Sequence, residues 1–146
     1  MNKENTALVN SCFKAIEMKD IECLMDNFHT HSEIIDPHYP TPHMIGKDGI
    51  SKGMLWGFQS LKQFKFTITH YYETENEENI AVEVSTEHEL HSGKKINFQQ
   101  MFCFEIKDKK IKKMQAYEPY GPHGMLNIIL TTIRLTTKFR AIFRRS

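Results

Sequence analysis

A chain of 146 residues with 40% apolar side chains is the size of one domain with a full hydrophobic core. Nineteen basic residues against eighteen acidic ones leave a net charge of +1, which counts against bulk nucleic-acid binding. No repeat or low-complexity tract is present, and no apolar run approaches the ~20 residues that span a bilayer.

In chain order, residues 6–18 place Leu8, Val9, Cys12, Phe13 and Ile16 at helical spacing. Asp20 reads as the N-cap of a second helix, with Glu22 in its first turn and Ile21, Leu24, Met25 and Phe28 as its apolar face. Ile34-Ile35-Asp36 is a short extended piece stopped by Pro37, because the residue before a proline is pushed out of the helical region. Residues 38–46, with Pro40 and Pro42, form a loop, after which Asp48 or Ser51 caps a third helix running to Leu61. Four strands follow. Phe64, Phe66, Ile68, His70 and Tyr72 alternate in the first, and Ile80, Val82, Val84, Thr86, His88 and Leu90 in the second. Ile96, Phe98, Gln100, Phe102, Phe104 and Ile106 alternate in the third, and Met114, Ala116 and Glu118 in the last. Polar turns at 75–79, 92–93 and 107–109 separate them. The order predicts an α+β fold, with helices packed on one face of a curved antiparallel sheet.

His88, Gln100 and Glu118 thus share faces with apolar residues that belong in a core. A buried polar group without a partner costs roughly 2–7 kcal/mol. Such groups on inward faces predict a lined pocket and a small-molecule protein.

Cys12, Cys23 and Cys103 are odd in number and lack CxxC spacing, which predicts buried free thiols in a reducing compartment. The N-terminal Met1-Asn2-Lys3-Glu4-Asn5 lacks a signal peptide's apolar run, so the expected location is cytoplasmic.

Several features carry a family resemblance: the two leading helices, Phe28 followed eight residues later by Asp36-Pro37, the Gly46-Lys47-Asp48-Gly49-Ile50 helix entry, and the final strand from Lys110 to Pro119. On these, the chain over 7–124 resembles the nuclear transport factor 2-like superfamily, in its ketosteroid isomerase and SnoaL-like polyketide cyclase branch. The resemblance implies a cone-shaped sheet closed by helices around an apolar ligand, pairing of two copies through the outer sheet face, and no cofactor. The domain is expected to occupy 1–124.

By position, Asp36 resembles the isomerase's general base; desolvation in an apolar cavity suits a carboxylate to that work near neutrality. It reads equally as an Asp-Pro strand stop that caps local amides. Gln100 matches the isomerase's acidic hydrogen-bond donor, or is a core glutamine bonded to Tyr117 or backbone. The isomerase's first-helix tyrosine falls at Cys12 or Phe13, and neither supplies a hydroxyl, which counts against ketosteroid isomerisation itself. His88 and Glu118 resemble the cyclases' histidine and acid, as a proton relay or as one internal ion pair. Phe13, Trp56, Phe66, Phe98, Phe102, Met114 and Tyr117 are the expected substrate-binding walls.

His29, His31, His38 and His43 crowd the region of Asp36, but their spacing fits no established ligand pattern, and no metal is expected. After Glu118 the five charges Arg134, Lys138, Arg140, Arg144 and Arg145, set against the net +1, leave the rest of the chain at about −4. Residues 125–146 read as a basic amphipathic helix, packed on the domain or its dimer mate, or lying on an anionic membrane surface. Three functions remain open: an isomerase- or cyclase-type acid–base enzyme, a non-catalytic ligand-binding or scaffold module, and a membrane-surface accessory that docks by its basic tail and holds a lipid-like molecule in its pocket.

Overall fold

The computed structural model describes residues 2–76 and 78–118, so the helix expected over 125–146 lies outside the described residues. Three helices, α1 (Lys3–Met18), α2 (Ile21–Asn27) and α3 (Gly46–Ser60), accompany six strands. These are β1 (Phe28–Ile35), β2 (His43–Ile45), β3 (Phe66–Glu73), β4 (Asn79–Glu89), β5 (Lys95–Lys107) and β6 (Lys110–Tyr117).

Local chemistry sets the element ends. Asn2 caps α1, its side-chain oxygen accepting from the amides of Glu4 and Asn5 at 3.1 and 3.4 Å. Asp20 caps α2 in the same way through the Cys23 amide, at 3.0 Å. Neither Asp48 nor Ser51 caps α3. That helix starts directly at Gly46, whose φ of +71° makes the sharp turn out of β2, with Ile45 in the cap position and no side-chain cap bond. Phe28 opens a strand of eight residues rather than closing the second helix.

The sheet order is β2-β1-β6-β5-β4-β3. From β3 to β6 it is an antiparallel meander, as the alternation predicts. The sheet as a whole is mixed rather than antiparallel, because β1 lies parallel beside β6, with Ile34 opposite Met114 and Ile35 opposite Gln115. That pairing brings the C-terminal ends of β1 and β6 together, and so places Asp36 near Glu118. Val9, Phe13 and Ile16 of α1 and Ile50, Met54 and Phe58 of α3 bury against the sheet's inner face, where Val82, Val84, Phe102, Phe104 and Met114 lie.

Inward parity holds along β4 and β5 and from Met114 on in β6, whose register shifts after the buried Ile111, and it breaks in β3. A register shift between Ile68 and His70 turns Tyr71 inward, its hydroxyl donating to Asn10 at 2.7 Å. His70 and Tyr72 therefore face outward, onto Glu83, where inward positions were expected. The cysteines also differ from expectation. Cys12 is buried, Cys103 half-buried, and Cys23 exposed next to the Asp20 cap. No described helix is long and apolar enough to cross a membrane.

Candidate functional site

Between the helices and the inner sheet face lies a cavity of about 330 Å³. Ligand cavities typically start near this size. Its wall is largely apolar: Ile16, Ile34, Met54, Phe64, Phe66 and Phe102 contribute to it. Trp56 and Ile96, 46% and 37% exposed, stand toward its mouth.

Of the residues singled out by sequence, Asp36, His88, Gln100, Glu118, Trp56, Phe66, Phe98, Phe102 and Met114 line this cavity. Two do not. Phe13 is core, its ring packed on Phe66 and Phe102 at centroid distances of 5.0 and 5.1 Å. Tyr117 is 46% exposed on the opposite sheet face, because Ala116 and Glu118 take the inward positions on either side of it.

The polar side chains form a band across the cavity. Asp36 turns the chain at the end of β1, and its Oδ1 accepts both the backbone N–H of His38, at 2.9 Å, and the His38 ring Nδ1, at 2.8 Å. The other ring nitrogen, Nε2, meets Glu118 Oε1. His38 thus bridges two carboxylates. The hydrogen bond that His38 donates to Asp36, with the charges of Asp36 and Glu118, raises its pKa against the opposing effect of burial. Next in register along β5 stands Gln100, 4% exposed, its Oε1 accepting the buried Thr86 hydroxyl at 3.0 Å. Gln100 bonds neither Tyr117 nor backbone. Its Nε2 has no partner among the described residues.

Glu118 therefore pairs with His38, not with His88. His88 stands across Phe98, edge-on to Phe64 and Phe66 at 4.9 and 5.0 Å, with its Nδ1 accepting the Lys65 amide at 3.4 Å. Burial among these rings pushes its pKa down to about 4, and the neighbouring His38 charge acts in the same direction. At neutral pH His88 is an uncharged imidazole.

Among the wall residues that the sequence did not single out, two bear on the site's chemistry. His38 was weighed only as a metal ligand; the signal for its true place is Asp-Pro-His, a turn that folds the third residue back over the first. Tyr39 lines the cavity with its ring edge-on to Trp56 at 5.9 Å, and its hydroxyl has no partner among the described residues. Burial, and then the Asp36 charge, raise its pKa, so it stays a protonated donor. Gly57 makes room for it: a Cβ there would stand 2.8 Å from the Tyr39 oxygen. Cys12 is fully buried and its thiol is pushed up to about 12, so it supplies no acid.

The other histidines lie apart. His29 faces Asp108 at 4.0 Å and His43 bonds Glu33 at 2.5 Å. Among the described residues no three potential ligands gather around a metal position.

Helices thus cap a mixed sheet around a largely apolar cavity crossed by a band of polar side chains. The SnoaL-like domain profile matches residues 9–114, most of the chain, and the protein belongs to the SnoaL-like domain family. No curated protein sequence matches it. Solved structures agree on the fold. TerC co-crystallised with polyporic acid superposes with a TM-score of 0.69 at 15% identity, over 80% of this chain and 92% of that one. A Mycobacterium tuberculosis protein in complex with estradiol-17beta-hemisuccinate gives 0.70 at 14%, over 78% and 92%. The Delta 5-3-ketosteroid isomerase from Mycobacterium sp. gives 0.68 at 13%, over 77% and 90%.

Proposed function

We propose that the protein is an acid–base enzyme that moves a proton next to a carbonyl on an apolar substrate, as isomerases and cyclases do. The observation that carries this is the pairing, on one apolar wall, of a carboxylate with an open oxygen and an amide with an open N–H. Asp36 Oδ2, which has no partner among the described residues, takes the proton from the α-carbon. The electron pair moves onto the carbonyl oxygen, and Gln100 Nε2 donates to it, with the Tyr39 hydroxyl as a second donor on the same wall. The proton then returns from Asp36 to another carbon, or the enolate closes a ring. His38, held between Asp36 and Glu118, fixes the base in position. No cofactor enters this chemistry. A ligand of the size of polyporic acid or estradiol-17beta-hemisuccinate suits the reading, given what the neighbouring structures hold.

One observation favours binding without turnover: Asp36 Oδ1 is already engaged in its own turn, so the carboxylate also has a structural use. Deuterium uptake separates the two. The protein is expected to speed exchange of the α-protons of a naphthyl alkyl ketone in D2O, and Asp36→Asn to slow it by at least ~100-fold, the range of a lost general base. Binding of the ketone without exchange makes the protein a binding module. Pairing of two copies through the outer sheet face, around Met101 and the exposed Tyr117, is part of the same proposal, and native mass spectrometry tests it.

A further inference from the structure

We propose that the ligand of this cavity is a cationic ketone, its carbonyl on Gln100 and its ammonium group on Glu118, within the field of Asp36, which rests on the cavity being the ligand site but not on turnover. Among the described residues, the wall carries two carboxylates and neither a lysine nor an arginine. His38 is shared by both carboxylates, so one positive charge faces two negative ones, and the band keeps a net charge of −1 with His38 protonated. His88 adds no charge: aromatic rings surround it and a backbone amide occupies its Nδ1.

A polar atom inside a core is expected to find a partner. Gln100 is 96% buried, and Thr86 holds its oxygen, so the amide nitrogen is turned to the cavity as a donor in want of an acceptor. A carbonyl oxygen answers that need; an ammonium does not. The second oxygens of Asp36 and Glu118 are the reverse case, since each has an acceptor lone pair and no protein donor among the described residues. Glu118 lies one step beyond the Tyr117–Met101 pair and so beside Gln100, which puts the acceptor pair and the donor next to one another. One ligand with an acceptor and a charged donor a few bonds apart satisfies both. The Tyr39 and Trp56 rings on the same wall favour an ammonium over a carboxylate, because a ring face is negative. An anionic ligand meets two carboxylates and a single imidazole cation on this wall.

Calorimetry on the intact protein at pH 7 with three naphthyl ketones that share a two-methylene spacer tests this. They are naphthyl propyl ketone, the naphthyl ketone carrying a β-dimethylamino group, and the naphthyl γ-keto acid. The amino ketone is expected to bind at least about tenfold tighter than the propyl ketone, and the keto acid at least about tenfold weaker, each step about 1.4 kcal/mol. Glu118→Gln and Asp36→Asn should each narrow the gap. If either variant fails to fold, the affinity order of the unaltered protein decides alone. Equal affinity for the propyl and amino ketones, or tightest binding of the keto acid, overturns the charge assignment and leaves the cavity as the ligand site. Failure of all three to bind overturns the cavity reading and this inference together.

Discussion

Thr86→Val is the most direct probe of how the cavity holds Gln100. The substitution keeps shape and removes one hydroxyl from a residue that is fully buried. That hydroxyl donates to Gln100 Oε1 at 3.0 Å, and Gln100 is itself 4% exposed, so water does not replace the lost donor. Leaving a buried acceptor unsatisfied costs about 1–3 kcal/mol. For a domain of this size that lowers the melting temperature by roughly 3–9 °C. Gln100→Leu in the same background removes the orphaned oxygen, and replacing both partners with apolar groups is nearly neutral. A thermal and urea cycle over Thr86→Val, Gln100→Leu and the double variant should therefore show a coupling of about 1–2 kcal/mol. Ketone binding supplies a second readout, since a Gln100 side chain no longer anchored by Thr86 loses its fixed donor. A Thr86→Val protein that melts as high as the unaltered one, or a coupling within ~0.3 kcal/mol of zero, refutes the assignment of that hydrogen bond.

Asp36→Asn should abolish deuterium exchange while changing stability by no more than ~1 kcal/mol, because Oδ1 still accepts the His38 amide and His38 keeps Glu118; loss of folding would make the residue structural. Acid should weaken the fold through His88. The unfolded chain takes up a proton near its ordinary value of about 6.5, which the folded chain refuses until about 4. Stability then falls as pH drops across that window, by about 1–2 kcal/mol once solvent screening of a partly exposed ring is allowed for; His88→Phe should flatten that slope in melts against pH. His38 has the opposite sign: its raised pKa stabilises the fold below the unfolded value and that gain is lost as pH rises through the folded one, which ring NMR follows. Gly57→Ala should gain helix propensity yet displace Tyr39, whose oxygen would sit 2.8 Å from the new Cβ, so ketone affinity falls with little loss of melting temperature.

The meander was legible because alternation is a local signal: in β4 and β5 the apolar positions repeat every second residue and bury accordingly. Parity failed where a residue is inserted, after Ile68 in β3 and after Ile111 in β6, and nothing in Thr67-Ile68-Thr69-His70 marks the first bulge. The parallel β1–β6 pair joins segments some eighty residues apart, which no window of sequence reports. Within the site, Asp36, Gln100 and Glu118 stood out because they break apolar patterns. Their partners did not: Thr86 alternates as a strand residue ordinarily does, and His38 sits in a loop, where a histidine is unremarked. A misassigned pair followed from the same limit. His88 and Glu118 share an inward face, but two strands and Phe98 decide which imidazole meets the carboxylate, and the strand-end turn supplies His38 instead.

Partner accounting, with the buried and unpartnered Ser32 Oγ as an exception, separates the polar groups that build this fold from those that await a ligand. Asn27 donates to the Cys23 carbonyl, Glu17 accepts the Phe66 amide, and Lys19 donates to the Phe58 and Leu61 carbonyls at the end of α3; each closes a local need and faces no cavity. On the cavity wall the bonding stops halfway. One oxygen of Asp36, one of Glu118, the amide nitrogen of Gln100 and the hydroxyl of Tyr39 have no partner among the described residues. In each residue that carries both kinds of atom, the bonded one orients the side chain, through Thr86 or His38, and the open one meets the hollow. A structural network has no reason to stop at the wall, because open polar atoms facing an apolar space weaken the fold. A site built to receive a ligand has that reason. The same division says which variants to read for binding and which for stability: Thr86 for both, Asp36 for chemistry, and Glu17 for folding alone.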